Sequence, residues 1–186
     1  MTAEDRRQTL LEATVPLLLE HGRTVTTRQI AEAAGVAEGT IFRVFESKHD
    51  LVTEALVCAF DPTPLERGMA EVRRDLPLRE TLLAVVGLLQ RRFVEIGDLM
   101  HAMGLMAPPL SREQTRAPRE RITQQIVELV TPHAAELRVD PAELVHVLRL
   151  LTFAGSNRHI ADGRLLGAER IVDVVLDGTL RREETR

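Results

Sequence analysis

The stretch from Thr26 to Phe45, TTRQIAEAAGVAEGTIFRVF, predicts two short helices joined by a tight turn. Thr26 can cap the first helix, because its hydroxyl can accept a hydrogen bond from an unpaired backbone N–H, and Gln29 can reach back to complete a capping box. Gly35 predicts the end of that helix, since glycine adopts the left-handed conformation without a steric penalty. This order is typical of a helix-turn-helix, whose second helix, at about residues 37–44, is presented to the major groove of DNA.

The apolar residues of this stretch are spaced to meet between the two helices, and Ala31 is small enough to let the helices cross closely. These residues are Ile30, Ala33, Ala34, Val36, Ile41 and Phe45. Beyond them, Ser47 and Asp50 form a capping-box variant that predicts a further helix from Lys48 to about Phe60. Lys48 would then lie at a helix N-terminus, where its ammonium and the exposed N–H groups could meet one phosphate. A solvated lysine is the alternative.

Composition favours a helical protein. Hydrophobic residues make up 44% of the 186 residues and aromatic residues only 3%, so the core must consist of Leu, Val, Ala and Ile. The chain has no run of about 18 uncharged apolar residues, and its N-terminus, MTAEDRRQ, is too polar for a signal peptide. We therefore expect a cytoplasmic protein without a membrane segment. The one cysteine, Cys58, agrees with a reducing compartment; we expect it to be buried in helix packing, with a sensing thiol as the alternative.

The net charge of −4 argues against indiscriminate binding to nucleic acid, and residues 1–60 hold six Lys and Arg against nine Asp and Glu. Binding to DNA must therefore depend on a few cations on one face, with modest non-specific affinity and strong salt dependence. The candidates are Arg6, Arg7, Arg28, Arg43 and Lys48.

The ordered set TTRQIAEAAGVAEGTIFRVFESKHDL, preceded by a helix that ends in EHG, resembles the TetR family of bacterial transcriptional regulators over roughly residues 6–57. The resemblance implies an all-α protein with an N-terminal three-helix helix-turn-helix domain and a larger helical domain for ligand binding and dimerisation. The break at Asp61-Pro62-Thr63-Pro64 gives the boundaries: DNA-binding domain 1–47, connecting helix 48–61 and second domain 62–186. The resemblance also implies a homodimer that binds a near-palindromic operator in double-stranded DNA and is released from it by a small-molecule effector.

The resemblance further implies roles for individual residues. Thr27 and Arg28 resemble contacts to the DNA backbone, whereas Glu38, Gly39, Thr40 and Arg43 resemble positions that face the groove. Arg43 is the candidate for bidentate recognition of a guanine edge, and Glu38 could accept from a cytosine amino group or complement the helix dipole. Ordinary exposure is the alternative for Thr40 and Arg43.

Three residues depart from the family pattern. Phe42 replaces a tyrosine that is usual at this DNA-facing position, so a hydroxyl contact to phosphate is lost. Val44 replaces a common histidine, and Ala37 replaces a common capping serine, a loss of about 1 kcal/mol of local helix stability. We expect these departures to affect the contacts to phosphate and to change which operator sequence the protein recognises.

The larger second part has helical periodicity throughout. The predicted helices span about residues 65–75, 78–106, 112–137 with a break at Pro132, 141–161 and 167–180, and residues 181–186 are expected to fray. The last two helices are apolar enough to bury their outer faces, and the resemblance implies a four-helix dimer interface between two chains.

One segment of the long helix concentrates soft, adaptable side chains. They predict a pocket for a small, largely apolar ligand, with a methionine-filled core as the alternative. The candidate ligand-binding residues are Phe93, Ile96, Met100, His101, Met103 and Met106. Asn157, Arg158 and His159 form a polar cluster that could orient a ligand or satisfy a dimer contact.

Other functions have less support. The six histidines show no HxxxH or HExxH spacing, so we expect no metal site and no cofactor. Glu143 and His146 have the spacing of a di-iron motif, but it occurs once and capping explains Glu143. We favour a dimeric, ligand-released repressor that is not an enzyme. A ligand-independent DNA-binding regulator and a helical-bundle enzyme are the alternatives.

Overall fold

The structure is a computed structural model that describes residues 2–158 and 160–180. His159 of the predicted polar cluster and the predicted frayed tail, residues 181–186, lie outside this range. The described residues form nine α-helices and no strand, apart from an isolated antiparallel bridge between Leu137 and Leu180. The all-α prediction is confirmed. The helices are α1 Ala3–His21, α2 Thr27–Ala33, α3 Glu38–Val44, α4 Lys48–Ala59, α5 Thr63–Ala70, α6 Leu78–Ala102, α7 Arg112–Val130, α8 Pro141–Ser156 and α9 Ala168–Thr179.

The chain divides into two compact units. The first unit contains Met1–Asp61 and Ile96–Arg112, and the second contains Pro62–Glu95 and Glu113–Arg186. The helix α6 therefore contributes residues to both units. From the sequence, residues 96–112 were predicted to belong to the second domain, 62–186. Because compactness does not assign function, the predicted functional domains remain a prediction.

The core of the first unit is built from apolar faces of α1 to α4 and the end of α6. Leu10, Leu18, Ile30, Ile41 and Leu51 are fully buried in it. Its apolar contacts are supported by capped helix ends, since Ser47 Oγ accepts a hydrogen bond of 3.1 Å from the N–H of Asp50. The predicted start of α4 at Lys48 is confirmed.

Arg7 connects α1 to the elements around it. Its Nε donates a hydrogen bond of 2.8 Å to Glu54 Oε1 on α4, and its guanidinium carbon lies 4.8 Å from the centroid of the Phe45 ring. Arg7 thus combines an ion pair with a cation–π contact at the edge of this core. One predicted DNA-facing cation is therefore engaged inside the unit.

The turn after α1 is shaped by Gly22, whose φ is 54°. A Cβ atom at this position would lie 2.3 Å from the carbonyl oxygen of Ala102, the last residue of α6, so only glycine fits. Next to it, Arg23 Nε donates a hydrogen bond of 2.7 Å to the carbonyl oxygen of Met103. Two consecutive residues of the turn thus hold the end of α6.

In the second unit, α5 to α9 enclose a core of Leu, Val and Ile. Several helix ends differ from the predicted ones. The helix α6 ends at Ala102, because Gly104 adopts a φ of 59°, and α8 ends at Ser156. The predicted break at Pro132 is confirmed, since Thr131–Glu136 forms a 3-10 helix.

Cys58 is exposed on α4, so the prediction that it is buried is wrong. Leu51, Ala55 and Leu56 supply the buried face of this helix, and Val57 beside Cys58 is 40% exposed. Partial desolvation raises the pKa of the thiol, and the carboxylates of Glu54 and Asp61 raise it further. The thiolate fraction at neutral pH is therefore small, which disfavours the sensing-thiol alternative.

Candidate nucleic-acid interface

The start of α2 is fixed by a complete capping box. Thr26 Oγ1 accepts a hydrogen bond of 3.2 Å from the N–H of Gln29, and Gln29 Oε1 accepts one of 2.8 Å from the N–H of Thr26. The predicted cap is confirmed. It places Thr27 and Arg28 in the first turn of α2, where Thr27 is half-buried and Arg28 exposed.

The turn between α2 and α3 is a Schellman motif. The N–H of Val36 donates to the carbonyl of Ala31 over 2.9 Å, and the N–H of Gly35 donates to the carbonyl of Glu32 over 3.2 Å. Gly35 has a φ of 67°, as predicted. Ala33 is exposed, so its predicted position between the two helices is wrong.

The helix α3 buries one face and exposes the other. Ile41 is fully buried and Phe45, which follows the helix, is 4% exposed. The outer face carries four exposed residues, and Thr40 at its border is half-buried. Ala37 precedes α3 without a side-chain cap. The exposed residues are Glu38, Gly39, Phe42 and Arg43.

The cations of this surface differ in their surroundings. Arg28 and Arg43 are exposed, and neither forms an ion pair with any residue of the ranges 2–158 and 160–180. Lys48 is half-buried, and its Nζ donates to the carbonyl oxygen of Arg23 over 3.5 Å, which leaves donors of the ammonium for another acceptor.

Glu38 adds a negative charge to the same surface. Its Oε1 accepts a hydrogen bond of 2.5 Å from Thr27 Oγ1. Because Thr27 is a predicted phosphate contact, its hydroxyl is engaged by a carboxylate in the protein alone. This bond links α2 to α3 across the turn.

The six predicted ligand-binding residues do not line one cavity. Phe93 lines a cavity of about 380 Å³ in the second unit, whereas Met103 lines one of about 580 Å³ in the first unit, together with Lys48. Ile96 and Met100 pack, partly buried, against the core of the first unit. His101 is exposed, and Met106 is 98% exposed.

The cavity beside Phe93 contains residues that the sequence analysis missed. Arg119 comes from α7, and His146, Arg149 and Phe153 come from α8. No local pattern marks them as a group, because they converge only through the packing of separate helices.

The described residues offer neither a metal site nor a membrane span. They contain no group of three or more His, Cys, Asp or Glu side chains placed to hold a metal ion. Among the helices described, none is long and apolar enough to cross a membrane.

The capped α2, the glycine turn and the exposed face of α3 define a helix-turn-helix protein. Residues 10–55 match the family model described as bacterial regulatory proteins, tetR family. The predicted resemblance to the TetR family is confirmed over this segment.

Comparison with individual proteins agrees with this assignment. An uncharacterized HTH-type transcriptional regulator of Bacillus subtilis, YvkB, is 51% identical over 71 residues, which cover 36% of this chain and 37% of YvkB. The matched part thus spans little more than a third of that relative.

Solved structures share the fold over nearly the whole chain. A transcriptional regulator from Saccharomonospora viridis in complex with choline matches with a TM-score of 0.65 and 21% identity, over 96% of this chain and 100% of that one. A TetR-family regulator from Streptomyces coelicolor matches with a TM-score of 0.64 and 23% identity, over 95% of this chain and 80% of that one.

Proposed function

We propose that the protein is a DNA-binding transcriptional regulator: a dimeric repressor that a small molecule releases from a near-palindromic operator. The observation that carries this proposal is the exposed face of α3, on which Arg43 has no ion-pair partner within the described ranges. A free guanidinium on the second helix of a helix-turn-helix can reach the O6 and N7 acceptors of guanine. A protein that acts on the bacterial chromosome works in the cytoplasm.

Each residue of the interface has a proposed role. Arg43 and Thr40 read base edges, and Gly39 lets the helix backbone approach the groove. Arg28, Lys48 and Thr27 contact phosphates and fix the register of the protein on the duplex. Phe42, which is 55% exposed, contributes apolar contact without a hydroxyl.

The exposed apolar faces of α8 and α9 support the proposed dimer. Val147 and Val174 are each 42% exposed, so adjacent helices of one unit present apolar side chains to the surface. Joining two such faces buries this surface and gives a two-fold dimer. Two recognition helices can then enter successive major grooves, about 34–36 Å apart.

Release by a ligand requires a second state of the dimer. A ligand that binds better to a dimer whose recognition helices do not match successive grooves shifts the population away from DNA. We place the ligand-binding site in a cavity of the second unit. The S. viridis regulator, which has a similar fold, was solved in complex with a small molecule, choline.

Selection of bound sites from a random duplex-DNA pool, at low and at higher salt, tests the function. We expect an enriched near-palindrome with half-sites separated by about one helical turn. No enrichment at either salt concentration would contradict the proposal. With the selected duplex, Arg43→Ala should weaken binding about 5- to 150-fold, as expected for about 1–3 kcal/mol per bidentate base contact.

Arg91→Ala is the matched control, because it removes an exposed arginine of α6 in the second unit. This variant should bind the selected duplex like the parent protein. Equal loss in both variants would mean that Arg43 acts through general charge only.

The dimer is tested separately. Val147→Glu and Val174→Glu place carboxylates on the proposed interface and should convert the dimer to a monomer in sedimentation velocity. Val57→Glu on α4, at a site of similar exposure, is the control. A dimer that persists in both interface variants would place the interface elsewhere.

A further inference from the structure

The cavity in the second unit combines two kinds of surface. Its volume is about 380 Å³, and residues of α6, α7 and α8 line it. Part of the wall is aromatic and aliphatic, and part is cationic. The lining residues are Phe93, Arg119, His146, Arg149, Leu150 and Phe153.

The cationic part contains an unsatisfied guanidinium. Arg149 is half-buried; its Nη1 donates to Thr123 Oγ1, but its Nε is buried and has no acceptor among the described residues. Burial lowers the pKa of Arg149, and the charge of Arg119 lowers it further. Within residues 2–158 and 160–180, neither arginine forms an ion pair. Two like charges with a buried, unpaired donor are unfavourable in the protein alone.

The apolar part is formed around two rings. Phe93 and Phe153 pack edge to face, with their centroids 5.3 Å apart and an angle of 89° between the ring planes. In the protein alone, Phe153 is 46% exposed and Leu150, which also lines the cavity, is 57% exposed. An apolar molecule can cover these side chains and remove their surface from water.

We propose that this cavity binds a small organic carboxylate with an apolar body. The carboxylate pairs with Arg149 and Arg119, and the apolar body packs against Phe93 and Phe153. A carboxylate is an acceptor-only group that matches the fork of a guanidinium, so it supplies the missing counter-charge. The cavity lies near the lower end of the range of about 300–1,000 Å³ that is usual for ligand pockets.

The role of this carboxylate as the effector rests on the proposed function. Its binding to the cavity is independent of that function, because binding can be measured on the full chain without DNA. The two statements can therefore fail separately.

Isothermal titration calorimetry with benzoate and octanoate tests the binding. We expect at least one of the two carboxylates to bind. If benzoate binds, its neutral analogue benzamide should bind at least tenfold more weakly. For octanoate the matched neutral probe is octanamide. No binding of either carboxylate at millimolar concentration, equal binding of the neutral analogue, or tighter binding of phenyl phosphate than of benzoate would overturn the proposal.

Substitution of Arg149 locates the site. Arg149→Met keeps the length of the side chain and should weaken carboxylate binding at least tenfold. Arg116→Met is the matched control, because Arg116 lies on the exposed surface of α7 and pairs with Glu120 over 2.7 Å. Equal affinities of Arg149→Met and the parent protein would overturn the site.

The melting temperature of Arg149→Met without ligand gives an independent result. Because the substitution removes a half-buried guanidinium whose Nε has no acceptor and whose charge has no ion-pair partner among the described residues, we expect an unchanged or higher melting temperature. Thr123 keeps its own hydrogen bond of 2.6 Å to the carbonyl of Arg119. A clearly lower melting temperature would mean that the protein compensates the guanidinium charge beyond its hydrogen bond to Thr123, which would overturn the proposal.

A final measurement separates the site from its role. Operator affinity is compared with and without the carboxylate that binds. Weaker DNA binding in the parent protein, absent in Arg149→Met, would support both the site and the proposed release. Carboxylate binding without any change in DNA affinity would support the site and contradict the release mechanism.

Discussion

Thr27 Oγ1 donates a hydrogen bond of 2.5 Å to Glu38 Oε1, and this bond joins the first residue of α2 to the first residue of α3. A hydroxyl on the proposed phosphate-contacting helix is thus engaged by a carboxylate on the proposed recognition helix. A DNA phosphate that accepts from Thr27 must replace Glu38, whose charge also repels it. We therefore expect Glu38 to oppose indiscriminate contact with the DNA backbone.

Glu38→Gln should increase the affinity for random-sequence duplex DNA several-fold at about 50 mM salt, and the gain should shrink at about 200 mM salt because ions screen exposed charges. Fluorescence anisotropy with a labelled duplex measures both affinities. Glu12→Gln, which removes an exposed carboxylate from α1, is the control. Weaker binding of Glu38→Gln would instead indicate a favourable contact, such as acceptance from a cytosine amino group.

Ala37→Ser should stabilise the protein. Ala37 is exposed, has an extended backbone with φ −70° and ψ 142°, and provides no side-chain cap to α3. A serine hydroxyl there can accept from an unpaired N–H of the first turn, a gain of about 1 kcal/mol in the free energy of unfolding. Urea denaturation measures the change, and Thr26→Ala should give a loss of similar size. No change in Ala37→Ser would mean that the hydroxyl does not reach the helix N-terminus.

Gly39→Ala and Gly35→Ala should change stability in opposite directions. A Cβ atom at either position would meet no atom within 4 Å, so the backbone conformation determines whether alanine raises or lowers the stability. Gly39 lies inside α3, where alanine is favoured by roughly 0.5–1 kcal/mol, whereas Gly35 has a φ of 67°, where alanine costs about 1–2 kcal/mol. Chemical denaturation measures both changes.

The same pair separates stability from DNA contact. If Gly39 is needed for close approach to the groove, Gly39→Ala should be more stable and yet bind the operator less tightly. Undiminished operator affinity in this more stable variant would remove Gly39 from the interface.

Cys58 should be accessible but slow to react. Desolvation, followed by Glu54 and Asp61, raises the pKa of its thiol, so the rate of alkylation should rise with pH to a midpoint above that of a free cysteine. Asp61→Asn removes one negative charge and should move the midpoint to lower pH. Iodoacetamide labelling followed by mass spectrometry measures the rates. A midpoint below that of free cysteine would restore the sensing-thiol hypothesis.

The helix-turn-helix could be predicted from sequence because its signals are local. The Thr26 cap, the left-handed Gly35 and the Ser47 cap each depend on a few consecutive residues, and all three are present in the fold. The position of Cys58 could not be predicted in this way. The helix α4 carries apolar residues on both faces, so composition alone does not show which face meets the core.

The cavity in the second unit was only partly accessible to sequence reasoning. Phe93 was predicted as a ligand-binding residue, but Met103, predicted with it on the same helix, belongs to the other compact unit. Arg119 and Arg149 are brought together by the packing of α7 and α8. Their spacing along the chain has no helical or strand period that could indicate this contact.

The turn at Gly22 has a consequence for motion. The carbonyl of Ala102 occupies the space where any side chain at position 22 would lie, and Arg23 binds the next carbonyl, that of Met103. The final turn of α6 therefore cannot slide along the turn after α1 without breaking this hydrogen bond and meeting the Gly22 backbone. These contacts favour movement of that final turn together with α1, and the hydrogen bond from Arg7 to Glu54 joins α1 in turn to α4.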